Sequence, residues 1–285
     1  MRPVKISLFL ALGATAAQAE QPLSAIDWLQ EPAPINVAQP LVTPLGEPPV
    51  TAGVTTPTVT VMPLDEPRPD AVGLLASSTT GLPAGLWHAS ATDTLVARLG
   101  RMSNAPLPAI QGLYYTLLLA EADAPAVAGN DARFLKARVA ALRNYGAVEP
   151  ALALVERAGP ATSILFDLWL DLALLDGSED AACQKLKQTP DLTSDYAKRV
   201  FCVSRGGDWA TAALTYDTAN AIGVLSPTEA RLLAQFLDPE LVEDVPALAP
   251  PNGMTPLVYR LYEAVGTPLP TGNLPREYAM ADLRG

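Results

Sequence analysis

Leu165-Phe166-Asp167-Leu168-Trp169-Leu170-Asp171-Leu172-Ala173-Leu174-Leu175 decides how the chain is read. Leu165, Leu168, Leu172 and Leu175 recur at intervals of three and four, the spacing of one face of an α-helix. The same period appears upstream. Ile110, Leu113, Tyr114, Leu117 and Leu118 form one apolar stripe, and Leu135, Val139 and Leu142 form another. Glycines at 146, 159, 177, 206, 223 and 266 punctuate these segments, as left-handed residues at helix C-termini do. Ser226-Pro227-Thr228-Glu229 reads as a capping box with proline at the first helical position. No alternating runs of valine or threonine compete as strands in this half, so residues 82–285 are expected to be all α.

The punctuation repeats. Gly146, Gly177 and Gly207 are 31 and 30 residues apart, and Pro160 and Pro190, which interleave with them, are 30 apart. Helix, glycine turn, helix, breaker is the pattern of stacked hairpins, in which neighbours cover each other's apolar faces. The expected fold is therefore an array of stacked helical hairpins, a degenerate TPR-like α-solenoid. The period is shorter than the tetratricopeptide repeat of about 34 residues, and its aromatic signature is missing.

The first 81 residues read differently. Arg2 and Lys5 precede an apolar run from Ile6 to Ala17, and Ala17-Gln18-Ala19 before Glu20 is a small-x-small cleavage site. Residues 1–19 are thus expected to be a cleavable signal peptide, too short to span a bilayer, and the mature chain to lie in the periplasm. Residues 20–29 form a short apolar segment carrying Trp28, which reads equally as a docking peptide and as a helix folding back on the main domain. Gln30 to Asp70 holds ten prolines and no aromatic residue. Such a stretch buries no core, so residues 30–81 are assigned to a disordered proline-rich stalk.

Charge narrows the partners. The chain carries a formal charge of −11, and losing Arg2 and Lys5 leaves 17 basic against 30 acidic side chains, or −13. Nucleic acid and anionic membranes repel such a surface, and no membrane span is expected. Arg133, Lys136, Arg138 and Arg143 read as a solvated helix face.

Candidate chemistry is sparse. Cys183 and Cys202 are the only cysteines. They fall on helices expected to be antiparallel neighbours, which predicts a disulfide in an oxidising compartment. His88 is the only histidine, too few for a histidine-rich zinc site. Asp167 and Asp171 stand at i, i+4, the placement of a general acid and base, yet they flank Trp169 away from the leucine stripe and read as solvated. No phosphate-binding glycine loop, calcium loop or nucleophile elbow occurs. The expectation is a non-enzyme with no cofactor and no metal. Trp209, Tyr216, Phe201 and Phe236 are large anchors, expected in the core; exposed ones would be partner-binding candidates, Trp209 and Tyr216 foremost with Trp28.

Ser24-Ala25-Ile26-Asp27-Trp28-Leu29, Phe201 through Trp209 (FCVSRGGDW), and Leu237-Asp238-Pro239-Glu240 carry a likeness. The chain resembles a group of exported α-helical proteins of Rhodobacter-type alphaproteobacteria, some of which bear an automatic "antifreeze" label. The resemblance implies export and a helical array and supplies no catalytic residues. Ice binding would need flat threonine arrays at a fixed repeat, and Thr56, Thr58 and Thr60 form one brief run only. The leading expectation is a non-catalytic periplasmic scaffold presenting its helical surface to an envelope protein or peptide. The alternative is an accessory helical domain of peptidoglycan machinery, and ice binding ranks behind both.

Overall fold

A computed structural model describes residues 68–282, save 103–106, 243–250 and positions 252, 268, 271 and 273. The signal peptide with Ala17, Ala19 and Glu20, the segment carrying Trp28, and the stalk up to residue 67 lie outside the described residues. Twelve α-helices are present among those described: α1 (Ser77–Thr80), α2 (Thr92–Leu99), α3 (Pro108–Leu119), α4 (Arg133–Asn144), α5 (Val148–Arg157), α6 (Phe166–Asp176), α7 (Asp180–Gln188), α8 (Tyr196–Arg205), α9 (Trp209–Ala221), α10 (Pro227–Leu237), α11 (Pro256–Ala264) and α12 (Arg276–Asp282). Beyond helices, only two isolated bridges occur among the described residues, Leu75 with Ala120 and Ala91 with Ala126. The all-α expectation is met.

From α4 to α11 each helix packs on the next, and α11 and α12 then return to the middle, α11 onto α6 and α12 onto α4, α5 and α6. That return explains the composition of α6. Beyond Leu165, Leu172 and Leu175, it buries Phe166, Trp169, Leu170, Ala173 and Leu174, because partners lie on several sides. A helix apolar nearly all round belongs inside. Leu135, Val139 and Leu142 are fully buried, as expected.

The first stripe is a correction. Leu118 is buried, but Ile110 and Leu113 are exposed, Leu113 by 52%. α3 packs chiefly on α4. Among the described residues one main neighbour covers one side of a helix that has no charged residue anywhere in it. Gly177 takes φ +85° at the end of α6, and a Cβ there would lie 2.7 Å from Nη2 of Arg260. At the Gly206-Gly207 turn it is Gly207 that takes the positive φ; Gly206, expected in that role, does not. Ser226 and Glu229 form the capping box reciprocally, each side chain accepting the other's backbone amide.

The folded unit also takes in residues 68–81, which composition alone assigned to the stalk. Asp70 and Val72 are buried, and the amides of Leu74 and Leu75 donate to the Leu119 carbonyl. α4 begins at an N-cap, Ala132, that has no side chain able to cap. Asp70 replaces it from 65 residues away: its Oδ1 accepts the Leu135 amide, the third of the helix, at 2.8 Å. Burial raises the Asp70 pKa, and the backbone amide of Leu135 opposes that rise.

Arg138 completes the clamp and corrects the solvated reading of its face. Only 1% exposed, it donates from Nε to the Leu118 carbonyl, from Nη1 to Val72 and from Nη2 to Ala120, at 2.6–3.0 Å. One guanidinium thereby ties the entering chain and the end of α3 to α4. Arg143 is likewise engaged, paired with Glu277 of α12.

Candidate interaction surface

The disulfide forms as expected: Cys183 of α7 and Cys202 of α8 are joined, with their Cα atoms 4.8 Å apart. It fixes α7 to α8, the helix on which α9 is laid. Among the described residues α9 packs principally on α8 and α10. Its start follows from Asp208, whose carboxylate accepts the Thr211 amide at 3.2 Å. Ala212 and Ala219 are its only buried residues. Small side chains at these two points let α9 sit close to its neighbours; Trp209 and Tyr216 share their stripe, while Leu214 lies off it.

The aromatic anchors divide. Phe201 is buried and stacks on Phe236, with ring centroids 5.7 Å apart. Tyr216 is half-buried, and its hydroxyl donates to the Ala230 carbonyl at 3.1 Å, pinning α9 to α10. Its polar end is therefore used within the fold. Trp209 is 50% exposed, with one edge against Phe236 at a centroid distance of 5.9 Å. The remaining exposure is aliphatic and escaped the sequence reading: Leu214 is 68% exposed, and Ile222 and Val224 follow beyond the end of the helix. A legible signal existed. Trp209, Ala212, Tyr216 and Ala219 recur at three-and-four spacing as the inward stripe, and Leu214 falls off that stripe, so it had to face outward.

Asp167 and Asp171 are not a free solvated pair. Nζ of the buried Lys198 lies 3.1 Å from Asp167 Oδ1 and 2.9 Å from Asp171 Oδ1, and Thr193 donates to Asp167 at 2.7 Å. Burial disfavours the ammonium, but Asp171 and Asp167 outweigh it and hold the Lys198 pKa above the ordinary lysine value. Burial raises Asp171, with Lys198 opposing. The three groups tie α8 to α6 through a buried cation. An ammonium held charged in this way is a poor nucleophile.

His88 is exposed in the turns ahead of α2. Among the described residues no cluster of three or more histidine, cysteine or acidic side chains is placed to hold a metal ion, and no helix is long and apolar enough to cross a membrane. Comparison with known protein families, curated proteins and solved structures returns no match.

Proposed function

We propose that the protein is a non-catalytic scaffold of the periplasm, exported by its N-terminal signal. In this reading its stacked hairpins form a TPR-like solenoid whose α9 edge takes an envelope protein or peptide, and the proline-rich stalk sets its reach. The observation that carries the reading is the outward apolar display of α9, with Trp209 and Leu214 at least half exposed on a helix covered by two neighbours. Surface leucines scattered singly are ordinary, but tryptophan held on a rigid aromatic base is the residue type that anchors interfaces. The disulfide between α7 and α8 suits an oxidising compartment and stiffens the support of that edge.

Reversible crosslinking in intact cells, followed by mass spectrometry, tests the proposal. The wild-type protein is expected to recover a defined partner that Leu214→Asp and Trp209→Ala lose while retaining wild-type circular dichroism. Recovery of the same proteins by wild type and both variants would reject the α9 edge as the contact.

A further inference from the structure

Between α2 and α3 the packing leaves a wedge. Both helices lie against α4, yet among the described residues they hardly touch each other. Trp87, from the turns ahead of α2, lines the gap as well, edge-on to Phe134 of α4 with ring centroids 5.2 Å apart. What remains is a cavity of about 140 Å³.

Its wall is almost wholly carbon. Leu95 of α2, Leu118 of α3 and Phe134 form its buried part, and Leu99, Tyr114 and Leu117 are half-buried around it. Arg98 is the one exposed residue of the described lining and sets the mouth beside itself. Arg138 also lines the cavity, but its guanidinium is committed to the carbonyls of Val72, Leu118 and Ala120. The Trp87 indole nitrogen is sealed from solvent and offers nothing to an occupant.

Neither water nor collapse fills such a space well. A water molecule needs two to four polar partners, which this wall does not supply. Collapse is opposed from behind: Phe134 is fully buried, with Cζ of the clamped Arg138 lying 5.6 Å from its ring centroid. Apolar cavities of about 150 Å³ stay dry and take a guest the size of benzene. A guest of that kind restores the dispersion contacts that an empty void forfeits.

We propose that this cavity binds a small apolar group the size of a benzene ring, either a free molecule or the end of a longer hydrocarbon chain whose remainder leaves by the mouth at Arg98. The site contains no residue of α9, and the proposal holds whether or not α9 takes a partner.

The test titrates the full protein with benzene, with decanoate, and with pyrazine, a ring of the same size whose two nitrogens accept hydrogen bonds. Binding is read from the indole N–H shift of Trp87, and the indole of Trp169, which donates to Glu156, serves as the unmoved reference. Saturable movement of the Trp87 signal by benzene is expected, with pyrazine weaker by about tenfold or more, since its nitrogens would be buried without donors. Leu99→Phe and Leu117→Phe, both at half-buried positions, fill the cavity from α2 and from α3, and each should abolish the benzene response while keeping wild-type circular dichroism. Saturation by benzene and by decanoate places a chain end among the guests, while saturation by benzene alone identifies a free small molecule; both results support the site. No saturation by benzene, pyrazine binding as tightly as benzene, or an unchanged benzene response in both folded variants overturns it.

Discussion

Replacing Arg138 with methionine removes the guanidinium while keeping most of the stem, and the structure sets the expected cost. The carbonyls of Val72, Leu118 and Ala120 would each lose a donor in a buried site. At about 2 kcal/mol per orphaned acceptor the loss is about 6 kcal/mol. Relief comes from no longer burying a charge: burial pushes the Arg138 pKa from 12.5 down to about 10. That difference corresponds to a penalty of about 3 kcal/mol on the charged form. The balance is a destabilisation of about 3 kcal/mol. For a chain of this size it lowers Tm by roughly 6–12 °C. Hydrogen exchange gives the local readout, because the amides of Leu74 and Leu75 donate to the Leu119 carbonyl beside the clamp. They should exchange faster in Arg138→Met by a larger factor than amides of α8. An unchanged or raised Tm, with Leu74 and Leu75 still protected, would refute the clamp.

Removing both cysteines as Cys183→Ala with Cys202→Ala reopens a loop spanning 19 positions; the expected loss is about 3 kcal/mol, measured as the fall in unfolding free energy in urea, and no change under reducing conditions would contradict it. Ser226→Ala breaks the capping box and should cost about 1 kcal/mol, read as a Tm drop of a few degrees; an unchanged Tm would count against the cap. Alkaline pH should destabilise the fold. Burial holds the phenols of Tyr278 and Tyr262 above their ordinary 10.0, and Asp171 with Asp167 raises Lys198 above 10.5 against its own burial. Above about pH 10 the unfolded chain sheds from Tyr278, Tyr262 and Lys198 protons that the folded chain keeps; Arg138, lowered to about 10, gives up its proton in the folded chain first and opposes them, but three groups outweigh one, so stability is intact below that pH and falls as pH rises towards the folded values of the three. Melting curves from pH 8 to 12 check this, and a flat Tm through pH 11.5 would contradict it.

What the sequence revealed and what it concealed divide along one line. Leu135, Val139 and Leu142, the Ser226 cap, and the cysteine pair depend on spacing within one helix or between successive helices, so their signal is local. Asp70, Arg138 and Lys198 depend on groups 18 to 66 residues away, several of them backbone carbonyls that leave no trace in residue identity. Arg138 looked like one more charge on a basic face because its partners belong to the entering chain and the end of α3. Ile110 and Leu113 erred the other way: their period is right for a buried stripe, but among the described residues α3 packs chiefly on α4 alone, which leaves that side uncovered. The exposed Leu214 stands off the stripe of Trp209, Ala212, Tyr216 and Ala219, a local signal carried by spacing and not by aromatic size. The i, i+4 spacing of Asp167 and Asp171 was visible, while the lysine they share comes from α8.

A photo-reactive residue placed in intact cells at position 214 of α9, and as a control at the exposed Gln184 of α7, tests the scaffold reading most directly. The account predicts a discrete crosslinked envelope protein or peptide from position 214 and none from position 184. Adducts of equal yield from both positions, or from neither, would contradict it.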